Sequence, residues 1–294
     1  MPTQGRRIAA ALFACLLASC GAPEVTLEVR PAMWLVEDDD TRIYLLGTMH
    51  ALPAGTGWDG GQVAKAIASA DELVLELSPE QLAAVGAEFQ RLAPRTAPLA
   101  MDKRLPADAL AAYRTLEASG AGQSFGGDAL DDWAVMVVMG QRVAQNARLL
   151  PSNGVETGLT ARFSDAGKPI GGLEGAREQL MLFETLDPAT QRTLLTRAAA
   201  GAGGAVADVE TLTAAWSRGD VKALETMINE DVDAVPAARR AIITDRNRRW
   251  SAWTATRMDK PGVVLVAVGA GHLVGADGLP ALLTAKGYKV TRVQ

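Results

Sequence analysis

The chain has 294 residues, 48% of them hydrophobic and 21% charged, with a formal net charge of −5. That composition excludes a disordered chain and allows a sizeable core, in one large domain or two ordinary ones. With no basic face, no Lys/Arg run and no cluster of stacking aromatics, it also argues against nucleic acid as a partner.

The N-terminus reads as an export signal. "MPTQGRR" is short and basic, and the apolar stretch "IAAALFACLLAS" after it has signal-peptide length, too short for a comfortable membrane span. The stretch runs into "LASC", residues 17–20. Leucine, two small residues and cysteine behind a signal core resemble the bacterial lipobox. The resemblance implies cleavage before Cys20 and acylation of that cysteine, so that lipid holds the protein at a membrane surface. Gly21 follows rather than the aspartate that often retains lipoproteins at the inner membrane, so the expected location is the outer membrane, facing the periplasm. The expected organisation is a signal peptide over 1–19, a tether over 20–31 and a single domain over 32–294. Of the two cysteines, Cys15 lies in the removed segment and Cys20 would carry lipid. No thiol then remains for catalysis, a metal or a disulfide.

In "MWLVEDDDTRIYLLG" two apolar runs flank Glu-Asp-Asp-Asp, which suits a hairpin. Residues 62–70 read as a helix. "DELVLELS" (71–78) has the Leu/Val run of a strand in a buried sheet, and Pro79 can open the next helix at its first turn. Residues 79–166 are mostly helical by pattern, and one helix, over about 131–150, contains the apolar "WAVMVVM". "KPIGGLE" (168–174) reads as a short strand. A long helical stretch over 176–258 is broken at 201–204, at Gly219 and at Pro236. The Ala/Gly patch "AAAGAGGAVA" (198–207) is a helix–helix connection. "GVVLVAVGAGH" is the clearest buried strand, and "DGLPALLTAKGYKVTRV" gives a helix, a turn at Gly287 and a final strand. Strands alternating with helices predict an α/β fold: a mixed central β-sheet, flanking helices and a large helical cap from insertions at about 79–166 and 176–258.

Both histidines of the chain follow a glycine by three residues at the end of a strand: His50 in "GTMH" and His272 in "GAGH". Open α/β sheets bind ligands beyond the carboxyl ends of their strands, and glycine lets the backbone turn sharply there. Either histidine alone reads more simply as structural; the shared pattern turns the pair toward function. Two imidazoles suit a metal, or a base and its partner. A hydrolytic metal centre usually takes three protein ligands and an open position, so carboxylates must complete it.

Glu76 sits near the end of a strand, with Leu75 and Leu77 pointing to the opposite face. A charge in so apolar a run is costly unless paired or solvated. Glu174, after "IGGL", is a second acid at a strand end. Glu156, in "NGVETG", reads equally well as a first-turn acid facing the helix dipole. Arg246 lies in "DRNRRW", where Asn247 and Trp250 share a helical spacing that could turn it toward the core. A buried arginine there could hold a carboxylate or stabilise an oxyanion. GxSxG, P-loop, HExxH and EF-hand motifs are missing from the sequence.

Taken together and in order, "WLVEDDDTRIYLLGTMH", "LVLELSP", "GKPIGGLEGAREQL", "DRNRRW" and "VAVGAGHLVGADGLPALLTAKGYKV" resemble the TraB/GumN family, related to the Tiki proteases and more distantly to erythromycin esterases and ChaN-type haem-binding lipoproteins. The resemblance spans roughly 32–294. It implies an α/β core with a helical insertion and a metal-dependent peptidase or hydrolase site that falls on His50, Glu76, Arg246 and His272, with Glu174 in the "GLE…EQL" motif. Glu156 departs from it, since the family more often has aspartate there.

The expectation is therefore a lipid-anchored envelope metallohydrolase acting on peptides or another small substrate. His50, His272 and Glu76 would hold a divalent Zn, Mn or Co ion, or one histidine would act as base. Glu76 would be ligand or general base, and Arg246 would orient Glu76 or stabilise the oxyanion, with Glu174 and Glu156 supporting them. Two other readings compete: a lipoprotein that binds haem or metal without turnover, and an assembly factor for surface polysaccharide.

Overall fold

A computed structural model describes residues 29–294, apart from the side chains of 229–232; the expected export signal over 1–19 and Cys20 lie outside the described residues. The Glu-Asp-Asp-Asp segment makes the expected hairpin. Strand β1 (Met33–Glu37) runs antiparallel to β2 (Thr41–Thr48), and Asp38 Oδ1 closes the turn by accepting from the Thr41 backbone N–H at 2.9 Å. The other strands are β3 (Glu72–Leu77), β4 (Ile170–Glu174), β5 (Gly262–Gly269) and β6 (Lys289–Arg292). They join one mixed sheet in the order β4-β3-β5-β2-β1-β6. The four strands β4, β3, β5 and β2 are parallel, while β1 pairs antiparallel with both β2 and β6.

Alternation along β5 builds two cores. Val264, Val266 and Val268 pack with Ile43, Leu45 and Val74 under Trp250, Met258, Leu279 and Leu283. Leu265 and Ala267 face the other way, with Leu46, Leu73, Leu75, Leu159, Phe163 and Trp216. Both faces of the sheet are thus covered, which explains strands that read as continuous apolar runs. Val29, four residues before β1, is already part of the second core.

The helical blocks resolve into several short helices. Pro79–Leu92 begins as expected, with Ser78 as N-cap and Pro79 in the first turn. The helix expected over 131–150 is Asp132–Asn146, and Leu150 beyond it forms a bridge with Leu52. In the second block the chain also breaks before Pro188, where Asp187 caps the helix Pro188–Gly201. At Gly219 the backbone adopts φ +63°, a conformation that favours glycine. Residues from both blocks share a third core, in which Tyr113, Val135, Met139 and Val143 meet Leu195 and Ala199.

Between Pro236 and the helix Asp245–Met258 lies a π-helical turn, Arg240–Thr244. Such turns recur at functional sites.

Candidate active site

The parallel register sets the site. Thr48, the last residue of β2, lies opposite Gly269, the last of β5, so the two GxxH segments leave the sheet side by side. Glu76 is the penultimate residue of β3, next to β5, and Glu174 ends β4 on the far side of β3. Four adjacent strands therefore deliver His50, His272, Glu76 and Glu174 to one carboxyl edge, where ligands of such sheets bind. The helix Asp245–Met258 crosses this edge and buries Arg246, Asn247, Trp250, Ser251 and Thr254, a polar stripe at helical spacing.

Arg246 is the hub. Its Nε donates to Glu174 Oε1 at 2.9 Å, and its Nη2 donates to Glu76 Oε2 at 2.6 Å and to Glu174 Oε2 at 2.9 Å. Its Nη1 lies 3.2 Å from the Ile242 carbonyl and 2.9 Å from His272 Nε2. A guanidinium has five N–H bonds, and here all five are engaged. The plane rests 4.5 Å over the Trp250 ring, and the His272 ring packs 4.5 Å from the same indole. Arg249 adds a second cation, 3.1 Å from Glu174 Oε1. Glu174 has 0% of its side chain exposed and Glu76 only 9%, so these charges are stable only as a paired network.

Glu76 is held from three directions. Oε1 accepts from the Gly269 backbone N–H at 2.7 Å, and Oε2 accepts from Arg246 and from Gln179 Nε2, the latter at 3.1 Å. Burial alone would raise its pKa. His272, Arg246, His50 and the Gly269 N–H outweigh burial and hold it at about 2.

The two histidines have different surroundings. His272 is buried, with Nδ1 2.7 Å from Asn247 Oδ1 and Nε2 against Arg246. Burial drives its imidazole down to about 3, with Glu76 opposing and Arg246 and His50 adding to the effect, so it is neutral. His50 has 71% of its side chain exposed. Its Nδ1 lies 2.7 Å from Glu156 Oε1, which also accepts from the Thr48 hydroxyl. Glu156 pushes His50 up to about 9, with Glu76 adding to the rise and Arg246 opposing it. Against its own burial, Glu156 is lowered by His50 and Thr48.

Glu156 reaches His50 because the helix Val155–Asp165 starts against the GTMH segment. The Val155 N–H donates to the Met49 carbonyl at 3.1 Å, and any Cβ on Gly154 would run into the His50 carbonyl. A cleft of about 250 Å³ opens beside this junction, lined by Thr56, Trp58, Ser152, Asn153 and Gly154.

At the centre is Gly269. A Cβ there would lie 3.2 Å from Glu76 Oε1, 3.7 Å from His50 Nε2 and 3.8 Å from His272 Cδ2. The three side chains thus form a cradle that only a glycine leaves open. As a metal site the cradle offers two donors, Glu76 Oε1 and His50 Nε2. His272 presents carbon to it, because the Nε2 lone pair accepts from Arg246. Among the described residues, no three His, Cys, Asp or Glu side chains are grouped to hold a metal ion.

All six residues singled out in the described part of the sequence lie at this edge: Glu76, Glu174, Arg246 and His272 in one hydrogen-bonded network, and His50 with Glu156 in a pair that meets it at Gly269. Asn247, Gln179, Thr48 and Gly269 belong to it and were not singled out. Their signals were present: Thr48 lies inside GTMH, Gln179 inside "GLEGAREQL", and Asn247 beside Arg246 on the polar stripe. No helix among the described residues is long and apolar enough to cross a membrane.

The model of the TraB/PrgY/gumN family matches residues 32–292, nearly all of the described chain. No curated protein and no solved structure gives a significant match.

Proposed function

The chain belongs to the TraB/PrgY/gumN family, and from that premise we propose that it is a hydrolase of the cell envelope, acting on peptide-like carbonyl compounds, with His50 and Glu76 as its reacting groups. The observation that carries this reading is the cradle beside Gly269, where a fixed carboxylate oxygen and an exposed imidazole nitrogen face one space. In general acid–base catalysis, positioned groups of this kind hold water and move its proton.

Glu76, at about 2, is a poor proton acceptor at neutral pH, so its part is to orient water and to keep positive charge nearby. His50, at about 9, is an imidazolium at neutral pH; Glu156 holds Nδ1–H and leaves Nε2–H toward the cradle. The water oxygen bonds to the carbonyl carbon and the bond to the leaving group breaks. The leaving group departs with the proton of His50 Nε2, which His50 regains from the water. Arg246 has no N–H to spare for an oxyanion and acts by positioning Glu76.

A divalent Zn, Mn or Co ion would find two donors here, Glu76 and His50, one short of the three protein ligands usual for a hydrolytic centre, and would supply Lewis-acid polarisation of the carbonyl. It would have to displace the proton of His50 Nε2.

The lipobox-like "LASC" supports a lipid anchor at Cys20, and Gly21 supports an outer-membrane, periplasm-facing location. The function is tested by a broad peptide-cleavage screen of the purified full chain, with and without added Mn²⁺, Co²⁺ or Zn²⁺. The reading expects cleavage that Glu76→Gln abolishes; no cleavage under any of these conditions, or cleavage unchanged in the variant, refutes it.

A further inference from the structure

The hydrogen bonds of His272 close in only one way. Arg246 Nη1 lies 2.9 Å from Nε2, and a guanidinium donates but never accepts. Nε2 is therefore the acceptor, with its lone pair toward Arg246. Nδ1 lies 2.7 Å from Asn247 Oδ1, and a neutral ring whose Nε2 accepts carries its proton on Nδ1. The amide of Asn247 is fixed independently. Its Nδ2 lies 2.8 Å from the Asp277 carbonyl and 3.3 Å from the His272 carbonyl, and both carbonyls can only accept. Exchanging O and N in that amide would break every one of these bonds. Asn247 is 0% exposed, so water does not offer it other partners. Asp277 is itself held, its carboxylate accepting from Arg239 Nη2 and from the Thr244 hydroxyl, each at 2.7 Å.

We infer that His272 is a neutral imidazole in the Nδ1–H form whose work is to hold Arg246, and that Asn247 is the positioning residue that binds the Nδ1–H and holds the ring in place for that bond. The two GxxH histidines, alike in sequence, then have different tasks. His50 presents a ring nitrogen to the cradle, while His272 spends its one lone pair on the arginine that aims Glu76. A metal bound through Nε2 of His272 would have to break that bond and leave an N–H of Arg246 unpaired in a buried site. The inference concerns the same site but does not depend on its chemistry being hydrolysis.

The chain has only two histidines, so ¹⁵N-histidine labelling of the full chain gives two imidazole patterns, assigned with His50→Gln. At neutral pH and without substrate, the expected His272 pattern is a protonated Nδ1 in slow exchange and an unprotonated Nε2. Asn247→Leu, which removes the acceptor for Nδ1–H, should lose the slow exchange of that proton. Titration with Zn²⁺ should move the His50 signals and leave those of His272 in place. A protonated Nε2 in the wild type would overturn the inference. So would an unchanged His272 pattern in a folded Asn247→Leu, or Zn²⁺ shifting Nε2 of His272 ahead of His50. Should Asn247→Leu fail to fold, the wild-type spectrum and the Zn²⁺ titration still decide. None of these signals needs turnover, so the hydrolase reading can fail while this one stands.

Discussion

Arg246 Nη2 donates to Glu76 Oε2 at 2.6 Å, and the other N–H groups of the same guanidinium are committed to Glu174, Ile242 and His272. All five N–H bonds of the buried arginine are thus engaged within the protein, with two carboxylates, a backbone carbonyl and a histidine.

Removing that arginine should be severe. Arg246→Ala strands Glu76 and Glu174 as buried charges, and breaking a buried pair in this way costs about 3–5 kcal/mol. Arg246→Lys keeps the charge but brings three donors in place of a planar fork of five. It should lose less stability than the alanine variant and still misplace Glu76. Denaturant unfolding measures the first effect and hydrolysis rate the second; an Arg246→Lys variant with wild-type rate would contradict the positioning role.

His50 gives the pH dependence. Its folded pKa, about 9, lies above its ordinary value of 6.5 because of Glu156. A raised folded pKa stabilises the protein fully below the unfolded value and loses that stabilisation as pH rises through the folded one. The stability difference between wild type and Glu156→Gln should therefore be largest between the unfolded pKa of Glu156, about 4.5, and that of His50, about 6.5, shrinking toward pH 9 and again in acid as Glu156 protonates. In the same variant the NMR midpoint of His50 should fall. A midpoint unchanged by Glu156→Gln would separate the two residues.

Gly269→Ala tests the cradle without replacing a charged group. The backbone there, φ −48°, accepts alanine, and the new methyl would sit 3.2 Å from Glu76 Oε1. Overpacking of this kind costs about 1–3 kcal/mol, less than the stability of about 5–15 kcal/mol usual for a folded protein. The variant should fold, as judged by its unfolding midpoint, and should neither hydrolyse substrate nor take up a divalent ion. Unimpaired turnover would place the reacting space elsewhere.

Cys20→Ser tests the anchor. In cells the wild-type chain should incorporate labelled palmitate and sediment with membranes, and the variant should do neither. Labelling that persists in the variant would remove the lipoprotein assignment.

Much of this was legible in the sequence because it is written in local pattern. The run of Val and Leu in β5 marks a buried parallel strand, Glu-Asp-Asp-Asp marks a turn, and a glycine three residues before each histidine marks a strand leaving the sheet. What the pattern lacked was long-range order. Nothing local says that β5 lies between β3 and β2, yet this order brings Glu76 beside both histidines. Nor does local pattern separate His50 from His272, since their difference comes from Glu156 and Asn247, over a hundred residues and twenty-five residues away respectively. The π-helical turn at Arg240–Thr244, which supplies the Ile242 carbonyl to Arg246, left no mark that propensity could read. The helix start at Asp187-Pro188 did carry a capping residue followed by proline, but the surrounding helical pattern masked it.

The most direct test of the hydrolase account is the rate at which wild type and His50→Ala cleave one peptide found by the screen. The substitution also leaves the Glu156 carboxylate without its histidine, so the rate is read on protein whose unfolding midpoint shows it folded. The account predicts a loss on the order of 10²–10⁴-fold, the usual contribution of a positioned acid or base. A His50→Ala variant that cleaves at the wild-type rate would contradict it.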